Sequence, residues 1–248
     1  IDNLGENITT VAEARQSAEV YHKLLDEIAA RGLNANISLK LTHMELDVDK
    51  GLALELVKAI AEHADLLGSF VRVDMESSAY TQITLDMVRE LQALFPVRVG
   101  AVIQAYLRRS EADVERLTAE GIRIRLCKGA YDEPPELAFQ KKSEVDGNYI
   151  RLMKILLKSG AYHGIATHDP RMIEETQRFS RSEKISPDEF EFQMLHGIRR
   201  DLQEKIASEG WRMRVYIPFG PAWYPYLMRR IAERPAKLGF VLRNLLRG

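Results

Sequence analysis

Two adjacent arginines near the C-terminus, Arg229 and Arg230, share one helical face with Tyr226 and Glu233, at i, i+3, i+4 and i+7. Pro225 suits the first turn of that helix. Guanidinium forks take carboxylates or phosphates by two-point contact, each charged hydrogen bond being worth roughly 1.5–3 kcal/mol. A solvated charged face is the plain alternative, and for an isolated Arg-Arg pair it is the better one. What favours a binding face here is the rest of the chain, whose strand patterns end in polar chemistry.

The elements that must position this helix alternate. A Thr10…Glu13 capping box opens a helix running to about Arg31. Strand patterns follow at 35–41 (ANISLKL), 70–75 (FVRVDM), 98–104 (RVGAVIQ), 122–128 (IRIRLCK), 162–167 (YHGIAT), 189–194 (EFEFQM) and 212–217 (RMRVYI), each followed by a helical pattern. Their spacing of about thirty residues is that of βα units and predicts a (β/α)8 TIM-type barrel in one domain spanning 1–248. An open doubly wound sheet competes, but no glycine-rich phosphate fingerprint follows any strand. Ile1–Asp2 reads as the stump of a further strand, so the first strand is expected to be largely missing and the domain N-terminally truncated.

In each strand one alternate set is apolar and the other polar. The polar set contains Lys40, Arg72, Asp74, Glu76, Arg98, Gln104, Arg123, Arg125, Glu189, Glu191, Arg212, Arg214 and Tyr216. Faces that meet helices must be apolar, so this set is expected inside the barrel. An unpaired buried charge costs several kcal/mol, which demands partners. Arg72, Arg98, Arg123 and Arg212 are expected as structural ion pairs low in the barrel. Seven basic against four acidic residues in that set leave surplus positive charge for an anionic ligand. Catalytic groups belong at the C-terminal strand ends, here Lys40, Asp74, Gln104, Arg125 to Lys128, Thr167 to Asp169, Gln193 to Leu195, and Tyr216.

Bulk properties exclude several classes. The 248 residues carry 35 Lys and Arg against 36 Asp and Glu, a balance that argues for neither a nucleic acid nor an anionic membrane. Cys127 is the only cysteine, which excludes an internal disulfide and suits a reducing, cytoplasmic setting. No HxH or HExxH pattern accompanies His168, so no metal is expected. Lys40 or Lys128 at a strand end could serve a Schiff-base lyase, and a non-catalytic scaffold barrel is a further alternative.

SLKLT (38–42), VRVDME (71–76), VIQAYLRRS (102–110), RIRLCKGAY (123–131), ATHD (166–169), EFQMLHG (191–197), MRVYIPFG (213–220) and YLMRRIAER (226–234) together resemble the proline dehydrogenases, in order and over nearly the whole chain. The resemblance implies a (β/α)8 barrel carrying FAD on its C-terminal face and oxidation of L-proline to Δ1-pyrroline-5-carboxylate by hydride transfer to that flavin, the first step of proline catabolism to glutamate. It implies that Arg229, Arg230 and Lys40 clamp the substrate carboxylate, and that Asp74 orients Lys40 or Tyr216. Tyr216, Tyr226, Leu195, Ala130 and Tyr131 would enclose the ring, with tyrosine at 216 favouring proline over hydroxyproline. Gln104, Arg125, Cys127, Lys128, Gly129, Ala130, Thr167, His168 and Glu233 fall at FAD-side positions. Cys127 there is a small apolar neighbour with no thiol chemistry, and Glu233 also holds its helix. Family members commonly pass electrons to a membrane quinone. The apolar tail 238–246 suits packing over its own domain or, alternatively, peripheral contact with the inner face of a membrane.

Overall fold

The apolar half of each strand pattern needs covering, and helices cover it. The computed structural model describes residues 1–5, 8 and 10–220. In chain order the elements are β1 (Asp2–Asn3), α1 (Val11–Ala30), β2 (Ile37–Leu39), a 3-10 turn (Leu41–Met44), α2 (Lys50–Leu66), β3 (Val71–Val73), α3 (Ser78–Leu94), β4 (Val99–Gln104), α4 (Ser110–Ala119), β5 (Arg123–Cys127), α5 (Lys142–Lys158), β6 (His163–Ala166), α6 (Pro170–Glu183), β7 (Phe190–Leu195), α7 (Arg200–Ser208), β8 (Met213–Tyr216) and β9 (Pro218–Phe219). Helix starts follow the sequence signals. The Thr10 hydroxyl accepts from the Glu13 amide at 3.3 Å, Asp49 from Leu52 at 3.0 Å, and Asp169 from Arg171 at 3.1 Å just ahead of Pro170.

All strand pairs are parallel, in the order β8-β7-β6-β5-β4-β3-β2-β1-β9. Only Ile217 separates β8 from β9, so these are two halves of one strand that changes partner there. Its first half pairs with β7 and its second with β1. The short β1 therefore has a neighbour on each side: Asp2 N–H donates to the Ile217 carbonyl at 3.0 Å, and Ser38 N–H to the Ile1 carbonyl at 2.9 Å. The first strand is as short as expected, and its two residues bridge β2 and β9 in the nearly closed ring of a TIM-type barrel.

Toward the helices point Ile37, Leu39, Val71, Val73, Val99, Ala101, Ile103, Ile124, Leu126, Ile165, Phe190, Phe192 and Met194, each 2% exposed or less. Burying one such side chain is worth about 1.5–3 kcal/mol, so this shell holds the helices on. The opposite set lines the lumen in register: Asp2 beside Ser38, Ser38 beside Arg72, Arg125 beside Gly164, Gly164 beside Glu191, and Leu195 beside Tyr216. Long polar side chains need room opposite them. A Cβ on Gly164 would lie 2.4 Å from Gln193 Nε2, so glycine there admits the glutamine.

Part of the expected lumen set lies elsewhere. Arg98 bonds Asp65 at 2.9 Å, Arg212 bonds Asp188 at 2.8 Å, and Glu189 accepts from the Ser186 amide at 2.6 Å, all in exposed surroundings. Each stands one residue before its strand begins, where the alternation rule no longer points a side chain inward. Arg72 and Arg123 are low in the barrel but do not form the expected ion pairs. Arg72 Nη1 donates to the Ala101 and Arg123 carbonyls at 3.0 and 2.7 Å, and both guanidinium groups lie over the Phe70 ring at 4.8 and 4.4 Å. The buried ion pair there is Glu191 with Arg214 Nε, at 2.7 and 2.8 Å to its two oxygens, supported by the Tyr162 hydroxyl at 2.9 Å and Gln193 at 2.6 Å. Burial alone would raise the Glu191 pKa, but these partners, Arg214 foremost, hold it below the usual range.

His163 at the start of β6 is wholly buried, accepting from the Ile124 amide at 3.0 Å and meeting the Ser159 hydroxyl at 2.8 Å. Burial, reinforced by Arg72 and Arg123, lowers its pKa from 6.5 to about 3. The unfolded chain binds this proton near pH 6.5 and the folded one does not, so stability is lost as pH falls below that value. The loss is about 1.4 kcal/mol per pH unit, roughly 2 kcal/mol between pH 6.5 and 5. Urea unfolding of His163→Asn, which keeps an acceptor for Ile124, is expected to lack this part of the slope; parallel pH profiles for the two proteins would contradict it.

Candidate active site

The C-terminal ends of β2 to β8 bring the predicted residues into one mouth. Lys40 follows β2, Asp74 follows β3, Gln104 and Cys127 end β4 and β5, Thr167 and His168 follow β6, and Leu195 and Tyr216 end β7 and β8. The centre of the network is Arg125, 8% exposed. Its Nη1 donates to Asp74 Oδ1 at 2.6 Å, its Nε to Gln193 Oε1 at 2.6 Å and its Nη2 to Ser38 Oγ at 3.0 Å, while the guanidinium lies 4.9 Å from the Tyr216 ring centre. The second oxygen of Asp74 accepts the Tyr216 hydroxyl at 2.7 Å. One carboxylate thus fixes a cation and a phenol from opposite walls. Burial first, then Asp74 and Asp2, push the Tyr216 pKa well above its ordinary value, so it stays a neutral donor.

Of the two expected partners of Asp74, Tyr216 is found bonded to it. Lys40 instead donates to Asp2 Oδ2 at 2.9 Å, its side chain 12% exposed. Asp2 is wholly buried, and its Oδ1 has no hydrogen-bond partner. The sequence reading missed Asp2 because a stump of strand offers no alternation to show which way it points. It missed Ser38 and undervalued Gln193 because a serine and a glutamine carry no charge to account for, although both share the inward parity of Lys40 and Tyr216.

The ends of β4 to β6 form the adjoining wall of the mouth. Gln104 Nε2 donates to the Glu76 carbonyl at 2.9 Å, and Glu76 is itself held by the Thr42 amide at 3.2 Å and hydroxyl at 2.6 Å. Cys127 is half-buried, its thiol 3.6 Å from the Ile103 carbonyl, which fits a small filler. Gly129 has φ 109°, and a Cβ there would lie 2.1 Å from the Tyr106 ring, so backbone alone faces outward at this point. Ala130 and Tyr131 beyond it are exposed. Lys128 is bonded by Asp146 at 2.5 Å and Asp169 at 2.7 Å, partners that lie 18 and 41 residues away and gave no local sign. Thr167 accepts from the Asp169 amide at 3.1 Å. His168 Nε2 accepts from the Leu195 amide at 3.0 Å and so carries no proton on that nitrogen. Among the described residues no three His, Cys, Asp or Glu side chains are grouped to hold a metal ion. Tyr226, Arg229, Arg230 and Glu233 lie outside the described residues.

The family model for proline dehydrogenase matches residues 1–243. The chain belongs to the proline dehydrogenase family. It is 42% identical over 247 residues to proline dehydrogenase 1 of Bacillus subtilis (strain 168), covering 100% of this chain and 82% of that one. Against the proline dehydrogenase of Deinococcus radiodurans it is 41% identical over 252 residues, covering 100% of this chain and 81% of the relative. Among solved structures, proline utilization A from Bdellovibrio bacteriovorus inactivated by N-propargylglycine superposes with a TM-score of 0.86 at 28% identity. That match takes in 93% of this chain but 29% of the other, so the chain spans less than a third of that protein. As a proline dehydrogenase family member the protein is an oxidoreductase of proline catabolism built on a TIM-type barrel, and the Asp74–Arg125–Tyr216 network lies toward the C-terminal ends of its strands. No helix among the described residues is long and apolar enough to cross a membrane.

Proposed function

We propose that the chain oxidises L-proline to Δ1-pyrroline-5-carboxylate with FAD at the barrel mouth. The observation that carries this reading is the joining of Asp74, Arg125 and Tyr216, from three walls of the barrel, into one hydrogen-bonded cluster, with the Lys40–Asp2 pair in electrostatic reach of Asp74. Lys40, Arg229 and Arg230 hold the substrate carboxylate, which gives the small ring a fixed direction in the mouth. Tyr216, Tyr226, Leu195, Ala130 and Tyr131 enclose the ring, and the Asp74 bond to the Tyr216 hydroxyl keeps that wall in place.

The wall formed by β4 to β6 fits a flat aromatic cofactor: backbone alone at Gly129, and small or neutral side chains at Ala130, Cys127 and Thr167 around the buried Arg125. Gln104, Arg125, Cys127, Lys128, Gly129, Ala130, Thr167, His168 and Glu233 are the residues that would hold it. FAD, when bound, supplies a hydride acceptor. Arg125 is anchored by Asp74 and Gln193, so its guanidinium is a fixed group beside that wall. Lys128 can turn toward a phosphate only by giving up Asp146 or Asp169. We further propose one barrel domain over 1–248, a membrane quinone as final acceptor, and a cytoplasmic protein that touches the inner face of the membrane.

Purified protein is expected to reduce an artificial electron acceptor in an L-proline-dependent way and to form a pyrroline; release of product without an acceptor would favour a lyase instead. Arg230→Met is expected to raise KM for proline about 100-fold or more while FAD stays bound. Equal affinity in both proteins would refute the clamp.

A further inference from the structure

Lys40 is the cation of the proposed clamp that lies among the described residues, and it is bonded to Asp2, a buried carboxylate with one unused oxygen. Asp2 is 0% exposed, bonds Lys40 Nζ through Oδ2 at 2.9 Å and leaves Oδ1 without a partner. Backbone fixes this carboxylate from both sides, since Asp2 pairs with Ser38 on β2 and with Pro218 on β9. Such a group has no freedom to leave its lysine, and a carboxylate at this distance favours the ammonium form.

We propose that Asp2 is a positioning residue, which aims the Lys40 ammonium at the substrate carboxylate and keeps it charged at alkaline pH. The inference rests on the substrate clamp proposed above. The groups around the pair divide by wall. Asp74 and Arg125 face it from β3 and β5, Tyr216 and Arg214 from β8, and Tyr21 from α1, whose hydroxyl donates to the Asn3 carbonyl at 3.4 Å. The Ile1 amino group bonds the Asn36 carbonyl at 2.7 Å on the same strand as Asp2. The Tyr21 and Tyr216 hydroxyls are pushed well above their ordinary pKa, chiefly by burial. Burial also raises Asp2, with Lys40 opposing it and Asp74 adding to it. Between pH 7 and 9 the lysine is therefore the group whose charge depends on Asp2. With Asp2 neutralised, Lys40 loses the carboxylate 2.9 Å from its ammonium and gives up its proton more readily.

Cyclopentanecarboxylate has the ring and carboxylate of proline but no amine, so its affinity reports the cations alone. Calorimetric titration of the holoenzyme is expected to show affinity flat within about twofold from pH 7 to 9. In Asp2→Asn it should fall about tenfold over that range, one pKa unit being a factor of ten. Asp2→Glu, which keeps the charge, should restore the flat profile; a structural role for Asp2 would shift affinity equally at every pH. A variant profile that superimposes on the parent's, or Asp2→Glu behaving like Asp2→Asn, overturns the proposal. Should Asp2→Asn fail to fold, Asp2→Ser removes the same charge and carries the same outcomes. Failure of the parent itself to bind the carboxylate, with flavin in place, would instead overturn the clamp on which the inference depends.

Discussion

Replacing Arg125 with leucine is expected to lower unfolding free energy by about 3–5 kcal/mol, the range for removing one partner from a buried ion pair. The figure follows from what is left behind. Asp74 loses its 2.6 Å guanidinium partner in a site 8% exposed, Gln193 Oε1 loses a donor, and Ser38 Oγ loses another. Leucine supplies apolar bulk but satisfies none of these acceptors, and a buried carboxylate without its cation carries most of the cost. Arg125→Lys should recover part of the loss, since a lysine can reach Asp74 as a point charge but cannot form the three-way fork. Urea midpoints at unchanged m-value measure the effect. A loss below about 1 kcal/mol for the leucine variant would show that Asp74 is satisfied some other way.

Asp74→Ala attacks the same network from its other end and should act mainly on turnover. It frees the Tyr216 hydroxyl, now 2.7 Å from Asp74 Oδ2, and leaves Arg125 without its counter-ion. In the proposed site Tyr216 walls the reacting ring and Arg125 faces the flavin, and misplacement by about 1 Å can cost on the order of 100-fold. kcat/KM for L-proline is accordingly expected to fall about 100-fold, alongside a stability loss of about 3–5 kcal/mol from the stranded Arg125, so activity is compared per folded, flavin-loaded protein. Asp74→Asn, which keeps an acceptor for Tyr216, should lose less. Equal activity in Asp74→Ala and the parent would remove Asp74 from the site.

How far these groups could be read from the chain depended on whether local pattern or distant partners decided their place. The run RIRLCK at 123–128 alternates without a break, so Arg125 inside and Ile124 and Leu126 outside follow from period two alone, and the register agrees. Helix caps at Thr10, Asp49 and Asp169 were equally local. Arg98, Glu189 and Arg212 show where the rule stops, since alternation has no force one residue before the ladder. Pairing was harder than placement. Lys40 and Tyr216 both point inward, but that Asp74 takes the tyrosine from across the lumen while Asp2 takes the lysine from the adjoining strand is set by the three-dimensional arrangement, and a two-residue β1 shows no alternation to announce Asp2. Arg72 could not have been foreseen among carbonyls, because Ala101 and Arg123 sit on β4 and β5; only Phe70, two residues before it, is local.

The central claim is that the polar mouth around Asp74, Arg125 and Tyr216 delivers a proline C–H to a flavin. Anaerobic addition of L-proline to the purified holoprotein, with flavin absorbance followed in the visible, tests it most directly. The yellow oxidised flavin is expected to bleach with L-proline and to recover when an electron acceptor is admitted; an absorbance unchanged at saturating L-proline, in protein that retains its flavin, would contradict the account.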